Sequence, residues 1–205
     1  MVEWSIAACR AAPSVRSIVV ACPPGHVHDL AGGDLGVVDG GATRAQSVRN
    51  ALQAVGTELV AVHDAARPLL SPDLIEGVVA TLIADPEAAG AIAATPVTDT
   101  IKQAAPGAKP RFPVPYTAKR SFVVESTIDR DTLWAAQTPQ VFRVEALREA
   151  LGGDPDRVAA ATDEAMLVEA GGRVLIHPSP PENLKVTTPL DLKTAELLLA
   201  HRSAK

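Results

Sequence analysis

Short uncharged runs of small and β-branched residues recur along the first hundred positions. RSIVVAC (16–22), ELVAVHD (58–64) and AGAIAATPV (89–97) are continuous rather than alternating, the pattern of strands buried on both faces. LGVVDGG (35–41) is a weaker run that ends in two glycines. Between these runs the apolar positions take helical spacing. VEWSIAACRAA places Val2, Ile6 and Cys9 on one face before Pro13, and RAQSVRNALQAV (44–55) reads as a second helix. SPDLIEGVVATLIADP opens with Ser71 as N-cap and Pro72 at the first helical position, a strong start signal. This alternation predicts an α/β fold, a mostly parallel sheet with helices on both faces.

Residues 98–135 break the rhythm. They hold four prolines and one alternating run, SFVVEST, a composition that cannot fill a core and reads as a protruding β-hairpin arm with a proline-rich tip. Beyond it, VEALREAL is a helix, and so is DEAMLVEAGG, with Thr162 as N-cap and an end at Gly171. RVLIHPS and NLKVT read as strands, and TPLDLKTAELLLAHR as a last helix capped by Thr188 with Pro189 first. We expect a single domain over 1–205 with its arm at about 98–135.

Composition narrows the function classes. At 205 residues and 47% apolar, the chain suits one full core. A net charge of −5 without a Lys/Arg run excludes a nucleic-acid surface. No apolar stretch reaches the roughly 18 residues of a membrane span, and Glu3 and Arg10 interrupt the N-terminal pattern in a way no secretory leader would. Cys9 and Cys22 lie in apolar contexts without metal-ligand spacing, as buried reduced thiols of a cytoplasmic protein do. Aromatics are only 3%, too few for platforms that stack bases or sugars.

Three segments fall where ligands bind an open α/β sheet, outside the carboxyl ends of strands. Gly40 and Gly41 precede a helix whose first turn carries Arg44 and, three residues on, Ser47. Backbone N–H groups there can meet an anion or a base edge, although a tight strand-to-helix turn with an exposed arginine gives the same spelling. In VHDAARP, His63 and Asp64 end a strand and Arg67 precedes Pro68. That suits a carboxylate reaching a metal or sugar hydroxyls beside a guanidinium forked onto phosphate. A capping aspartate paired to a surface arginine reads equally well. NLKVTTPLDL puts Lys185 in a short strand beside a helix start, as either a phosphate ligand or an edge-strand gatekeeper. His26, His28, His177 and His201 share no spacing with acidic residues or cysteines, which argues against zinc. Asp163 and Glu164 read as stabilisers of a helix N-terminus.

Taken in order, GGATRAQSVRNAL, LVAVHDAARPLLSPDLI, AATPVTDTIK, TIDRDTLWAAQTPQVF, ATDEAMLVEAGGRV and ENLKVTTPLDLKTAE resemble the 2-C-methyl-D-erythritol 4-phosphate cytidylyltransferases of isoprenoid synthesis. The resemblance covers essentially the whole chain apart from a longer arm tip at 104–120. It implies a Rossmann-like nucleotidyltransferase of the cytoplasm. Such an enzyme transfers a cytidylyl group from CTP, with Mg²⁺, to the polyol phosphate and releases pyrophosphate. By the same resemblance Gly40, Gly41, Ala42 and Ser47 line the cytidine pocket, with Ala42 standing where the family often has aspartate. Asp64 and Ala65 face ligand, Arg67 and Lys185 lie toward phosphate, and Asp64 is the one candidate to touch the metal. Lys185, Arg67 and Asp64 are thus the expected catalytic set. Thr100 and Arg130 match positions that bind substrate phosphate across a homodimer formed by the arms.

Two rivals stand beside this. Ribitol-5-phosphate cytidylyltransferase shares the QTPQ and HD-x-x-RP elements but lacks the VTDT and IDR spellings found here. The other is a catalytically dead nucleotide-binding or dimerisation module. Family members begin with a strand and a loop PAAG-x-G-x-R-x-G, then a Pro-Lys pair, whose Arg and Lys hold the triphosphate. Here the first glycine is Gly25 and Met1 aligns after those elements, so the chain made alone is expected to be unstable or inactive toward CTP.

Overall fold

The structure is a computed structural model that describes residues 1–27, 33–106 and 122–203. His28 and most of the arm tip read at 104–120 lie outside the described residues. The chain divides into two compact units, Met1–Ala94 with Ala136–Lys205, and Thr95–Ala135.

The elements run α1 (Val2–Ala11), β1 (Ile18–Cys22), β2 (Leu35–Asp39), α2 (Arg44–Leu52), β3 (Leu59–Val62), α3 (Pro72–Ile83) and β4 (Ala88–Pro96). There follow β5 (Lys102–Pro106), β6 (Phe122–Thr127), β7 (Trp134–Arg143), α4 (Val144–Leu151), α5 (Pro155–Ala160), α6 (Glu164–Val168), β8 (Arg173–Pro178) and α7 (Pro189–Ser203). Local chemistry sets several starts. The Ser71 hydroxyl accepts the Leu74 N–H at 3.2 Å ahead of Pro72, as its spelling requires. Thr43 caps α2 through the Gln46 N–H at 3.2 Å, and Thr188 caps α7 through Asp191 N–H at 3.2 Å. Asp163, rather than Thr162, caps α6, accepting the Met166 N–H at 2.9 Å.

The sheet differs from the expectation of mostly parallel strands. β1 and β2 form a parallel pair of their own, and a four-stranded sheet runs in the order β3-β7-β4-β8. In it β3 is antiparallel to β7, and β4 parallel to β8. The sheet is mixed because of β7, which the apolar pattern hid. WAAQTPQVFR carries Pro139 and three polar residues, Gln137, Thr138 and Gln140, where a central strand ordinarily has none. Those side chains are buried and hydrogen-bonded, so burial did not require them to be apolar. NLKVT is not a strand: its one backbone tie to the strand-end loop is Val186 N–H to the Ala66 carbonyl at 2.8 Å. Strand β1 is only half-buried apart from Cys22 and the exposed Ala21.

Period-two alternation in β4 and β7 splits the core across the sheet. Ala91, Ala93 and Val141 meet Leu74, Ile75, Val78 and Leu82 of α3. Ile92 and Phe142 face Ala45 and Leu52 of α2 and Leu147 and Leu151 of α4. A Cβ on Gly90 would lie 2.4 Å from Phe142 Cδ1, so the fully buried ring fits only over glycine. Among the described residues no helix is long and apolar enough to cross a membrane.

In the smaller unit β5 and β6 pair antiparallel, from Lys102 opposite Thr127 to Pro106 opposite Phe122, with a bulge at Gln103/Ala104. Phe122, Val123 and Val124 are 60%, 61% and 58% exposed.

Candidate active site

Strand β2 delivers the chain into Gly40 and Gly41. The Gly40 N–H donates to the Cys22 carbonyl at 2.7 Å, tying the turn to the end of β1. At Gly41 a Cβ would fall 2.2 Å from Gln46 Cβ, so only glycine lets the turn close on the helix that follows. The Gly41 N–H donates to Ser47 Oγ at 3.0 Å and the Ala42 N–H to Gln46 Oε1 at 2.8 Å. The donors that the sequence left open to an anion or base are therefore held from within. Within the Gly40–Ala42 turn itself the polar groups that remain are the carbonyls, which suit an amino group rather than a phosphate.

At the first position of α2, Arg44 joins a row of four alternating charges. Its Nε and Nη2 donate to Asp64 Oδ1 at 3.2 and 3.0 Å, and its Nη1 pairs with Glu164 Oε2. Lys185 Nζ donates to Asp64 Oδ2 at 2.7 Å. The row is graded in exposure, with the Lys185 side chain 44% exposed, Arg44 32%, Asp64 16% and Glu164 2%. Burial alone would raise the pKa of Asp64, but Lys185 and Arg44 outweigh it and hold the carboxylate below its ordinary range. Burial raises Glu164, with Arg44 opposing. Burial also works against the charge on Arg44, and the two carboxylates overcome it.

Glu164 is the site residue that sequence reasoning missed. An acidic residue at the first position of a helix reads the same whether it faces water or a guanidinium 120 residues away. The segment is docked by the equally unsuspected Gln140 of β7. Its Nε2 donates to Asp163 Oδ2 at 2.8 Å, and its Oε1 accepts the Ala165 N–H at 3.2 Å.

Behind Asp64 lies an uncharged network. Thr138 Oγ1 accepts the Asp64 N–H at 3.0 Å and stands 3.0 Å from His63 Nδ1, while His63 Nε2 meets the Arg67 carbonyl at 3.2 Å. Asn183 Nδ2 donates to the Thr138 carbonyl and to Gln137 Oε1, at 2.9 and 2.8 Å. Arg67 differs from the exposed fork expected of it. It is buried, and its Nη1 donates to the Asn183 carbonyl at 2.8 Å. The tightness of the D-A-A-R turn explains this, since the Arg67 N–H donates back to the Asp64 carbonyl at 2.9 Å. Burial lowers the pKa of Arg67, with Asp64 opposing. Ala65 is exposed beside Asp64.

Thr100 and Arg130 belong to the smaller unit, where both are exposed and the Arg130 guanidinium donates to the Thr98 carbonyl. Among the described residues no three His, Cys, Asp or Glu side chains gather as a metal cage. His177 instead faces helix α3, with Nδ1 2.9 Å from Thr81 Oγ1.

Comparison with known proteins gives this arrangement a family. The model of the 2-C-methyl-D-erythritol 4-phosphate cytidylyltransferases matches residues 1–201. A protein of that name from Gloeobacter violaceus is 39% identical over 210 residues, covering 97% of this chain and 83% of its own. A bifunctional IspD/IspF enzyme from Anaeromyxobacter dehalogenans is 43% identical over 204 residues, covering 95% of this chain but 48% of its own. The chain thus spans less than half the length of that bifunctional relative. The solved cytidylyltransferase of Thermus thermophilus superposes with a TM-score of 0.75 at 34% identity, over 96% of this chain and 86% of its own. That of Francisella tularensis gives 0.76 at 29%, over the same shares. By sequence over nearly its whole length, and by fold, this chain belongs to the 2-C-methyl-D-erythritol 4-phosphate cytidylyltransferase family.

Proposed function

We propose that the protein transfers a cytidylyl group from CTP to 2-C-methyl-D-erythritol 4-phosphate, giving 4-diphosphocytidyl-2-C-methyl-D-erythritol and pyrophosphate in isoprenoid synthesis. The observation that carries the reading is the half-exposed Lys185 ammonium, 2.7 Å from Asp64 and linked through it and Arg44 to the Gly40–Gly41 turn. A phosphate monoester is mostly dianionic at pH 7, with a second pKa of about 6, so its attacking oxygen needs no general base. What it needs is a cation that orients it and offsets the charge building on the α-phosphate. Lys185 supplies that cation. The carbonyls around Gly40, Gly41 and Ala42 suit the exocyclic amino group of cytosine, with Ser47 holding the turn. Arg67 acts as a fixed charge behind Asp64 rather than as a fork.

The residues fit Mg²⁺ in the form in which it usually accompanies a triphosphate, with one protein carboxylate at most and the remaining ligands from phosphate and water. Asp64 would be that carboxylate. When bound, the ion would neutralise charge on the transferring and leaving phosphates. The exposed Phe122, Val123 and Val124 of β6 support a homodimer made through the 98–135 arm, with Thr100 and Arg130 serving the partner's site.

Mass spectrometry of parallel reactions with CTP, Mg²⁺ and either methylerythritol phosphate or ribitol 5-phosphate, run on the chain preceded by the family's first strand and PAAG-x-G-x-R-x-G loop, tests the assignment. The CDP-methylerythritol mass should appear with the higher kcat/KM. A preference for ribitol 5-phosphate would overturn the substrate, and no product from either would overturn the activity.

A further inference from the structure

The four-charge row is asymmetric in a way that divides labour within it. Lys185, at its open end, is paired with Asp64 alone among the described side chains. Arg44, in the middle, has two carboxylates, one on each side. Glu164, at the closed end, is 1% exposed and beyond the reach of any substrate. Its backbone is itself pinned, since Asp163 before it and Ala165 after it both bond to the Gln140 amide.

An incoming phosphate dianion meets the row first at its most exposed end. There it competes with Asp64 for Lys185, and Asp64 can yield because Oδ1 stays on Arg44. Arg44 can serve as that fixed partner only if something else holds it, and the one group placed to do so is the pinned, water-excluded carboxylate. We propose that Glu164 is a positioning residue for the reaction: it anchors Arg44, so that Asp64 always has one permanent cation and one, Lys185, that it can exchange with substrate phosphate. This rests on the reading that Lys185 meets the substrate phosphate.

The row as it stands is electrically balanced, two cations against two anions. Replacing Glu164 by the isosteric glutamine keeps an acceptor for Arg44 but leaves one positive charge in excess. The consequence has a sign that mere loosening does not share. Anions should bind more tightly while turnover falls, because Asp64 is then the one charged partner left to Arg44.

The test compares wild-type protein with Glu164→Gln and Glu164→Asp, each preceded by the family's first strand and glycine-rich loop for the turnover measurement, well below their melting temperatures. Calorimetry with inorganic phosphate should show several-fold tighter binding to Glu164→Gln, with kcat reduced about tenfold or more. Glu164→Asp keeps the charge and should recover most of both. A Glu164→Gln enzyme with kcat within twofold of wild type would overturn the proposal, as would phosphate binding that weakens in step with thermal stability. The unmodified protein gives a second measurement, should the variant not fold. In ¹⁵N NMR titrations with inorganic phosphate, Lys185 Nζ should shift while Arg44 Nε stays fixed. Equal movement of the two would overturn the anchor. Because this titration needs no turnover, absence of cytidylyl transfer would sink the proposed function and leave the NMR result to stand by itself.

Discussion

Acidification should expose the neutral histidine under the site. The Arg67 carbonyl can only accept, so His63 Nε2 carries a proton, and in the neutral ring Nδ1 accepts from the Thr138 hydroxyl, whose oxygen also takes the Asp64 N–H. Both ring nitrogens are satisfied in the uncharged form. A second ring proton, on Nδ1, would require the Thr138 hydroxyl to turn and accept, giving up its donor role. Burial chiefly lowers the His63 pKa to about 4, helped by the Arg67 charge and opposed by the Arg67 carbonyl and Asp64. Since the folded pKa lies below the unfolded value of 6.5, His63 stabilises the fold fully above that value. The stabilisation is lost as pH falls through the folded pKa. The full shift corresponds to about 3 kcal/mol, of which about 2 kcal/mol is lost by pH 5.

Urea unfolding between pH 7.5 and 5.0 reads this directly. With a slope of about 2 kcal/mol per molar, the wild-type midpoint should fall by roughly 1 M. His63→Gln should be less stable at pH 7.5 yet lack that fall. Asp64 has a depressed pKa and titrates below the window. Glu164 has a raised pKa, so its contribution runs in the opposite direction, growing as pH falls. It does so in both proteins and cancels in the comparison. Parallel pH dependence in wild type and His63→Gln would refute the assignment of a neutral, fully bonded imidazole.

Two further outcomes are expected when the chain is preceded by the family's first strand and glycine-rich loop. Gly41→Ala puts a Cβ 2.2 Å from Gln46 Cβ, so the turn must open; an overpacking strain of about 1–3 kcal/mol should raise KM for CTP on the order of tenfold, and an unchanged KM in steady-state assays would remove this turn from the nucleotide site. Equal amounts of Arg130→Ala and Lys185→Ala protein, mixed and re-equilibrated, should regain about a quarter of wild-type activity if the arms exchange between subunits, because half the dimers are mixed and each holds one intact site; activity no higher than either variant alone would refute sharing.

Sequence alone determined what local chemistry controls. The Ser71–Pro72 and Thr188–Pro189 starts, the strands at 59–62 and 88–96 and the helix between them follow from caps and periodicity, which depend on a few neighbouring residues. The ordered motifs carried the family, and with it the candidate residues Gly41, Asp64 and Lys185. Tertiary structure alone decided the rest. Strand β7 was illegible because its Gln137, Thr138 and Gln140 are polar, and only their buried partners make such a strand affordable. Whether Arg67 faces solvent or Asn183 depends on how the 183–186 segment lies against the D-A-A-R turn, through Val186 N–H on Ala66. The role of Glu164 rests on an ion pair spanning 120 residues of chain. A carboxylate's spelling is the same in water and in a core, and its chemistry there is set by what the fold brings to meet it.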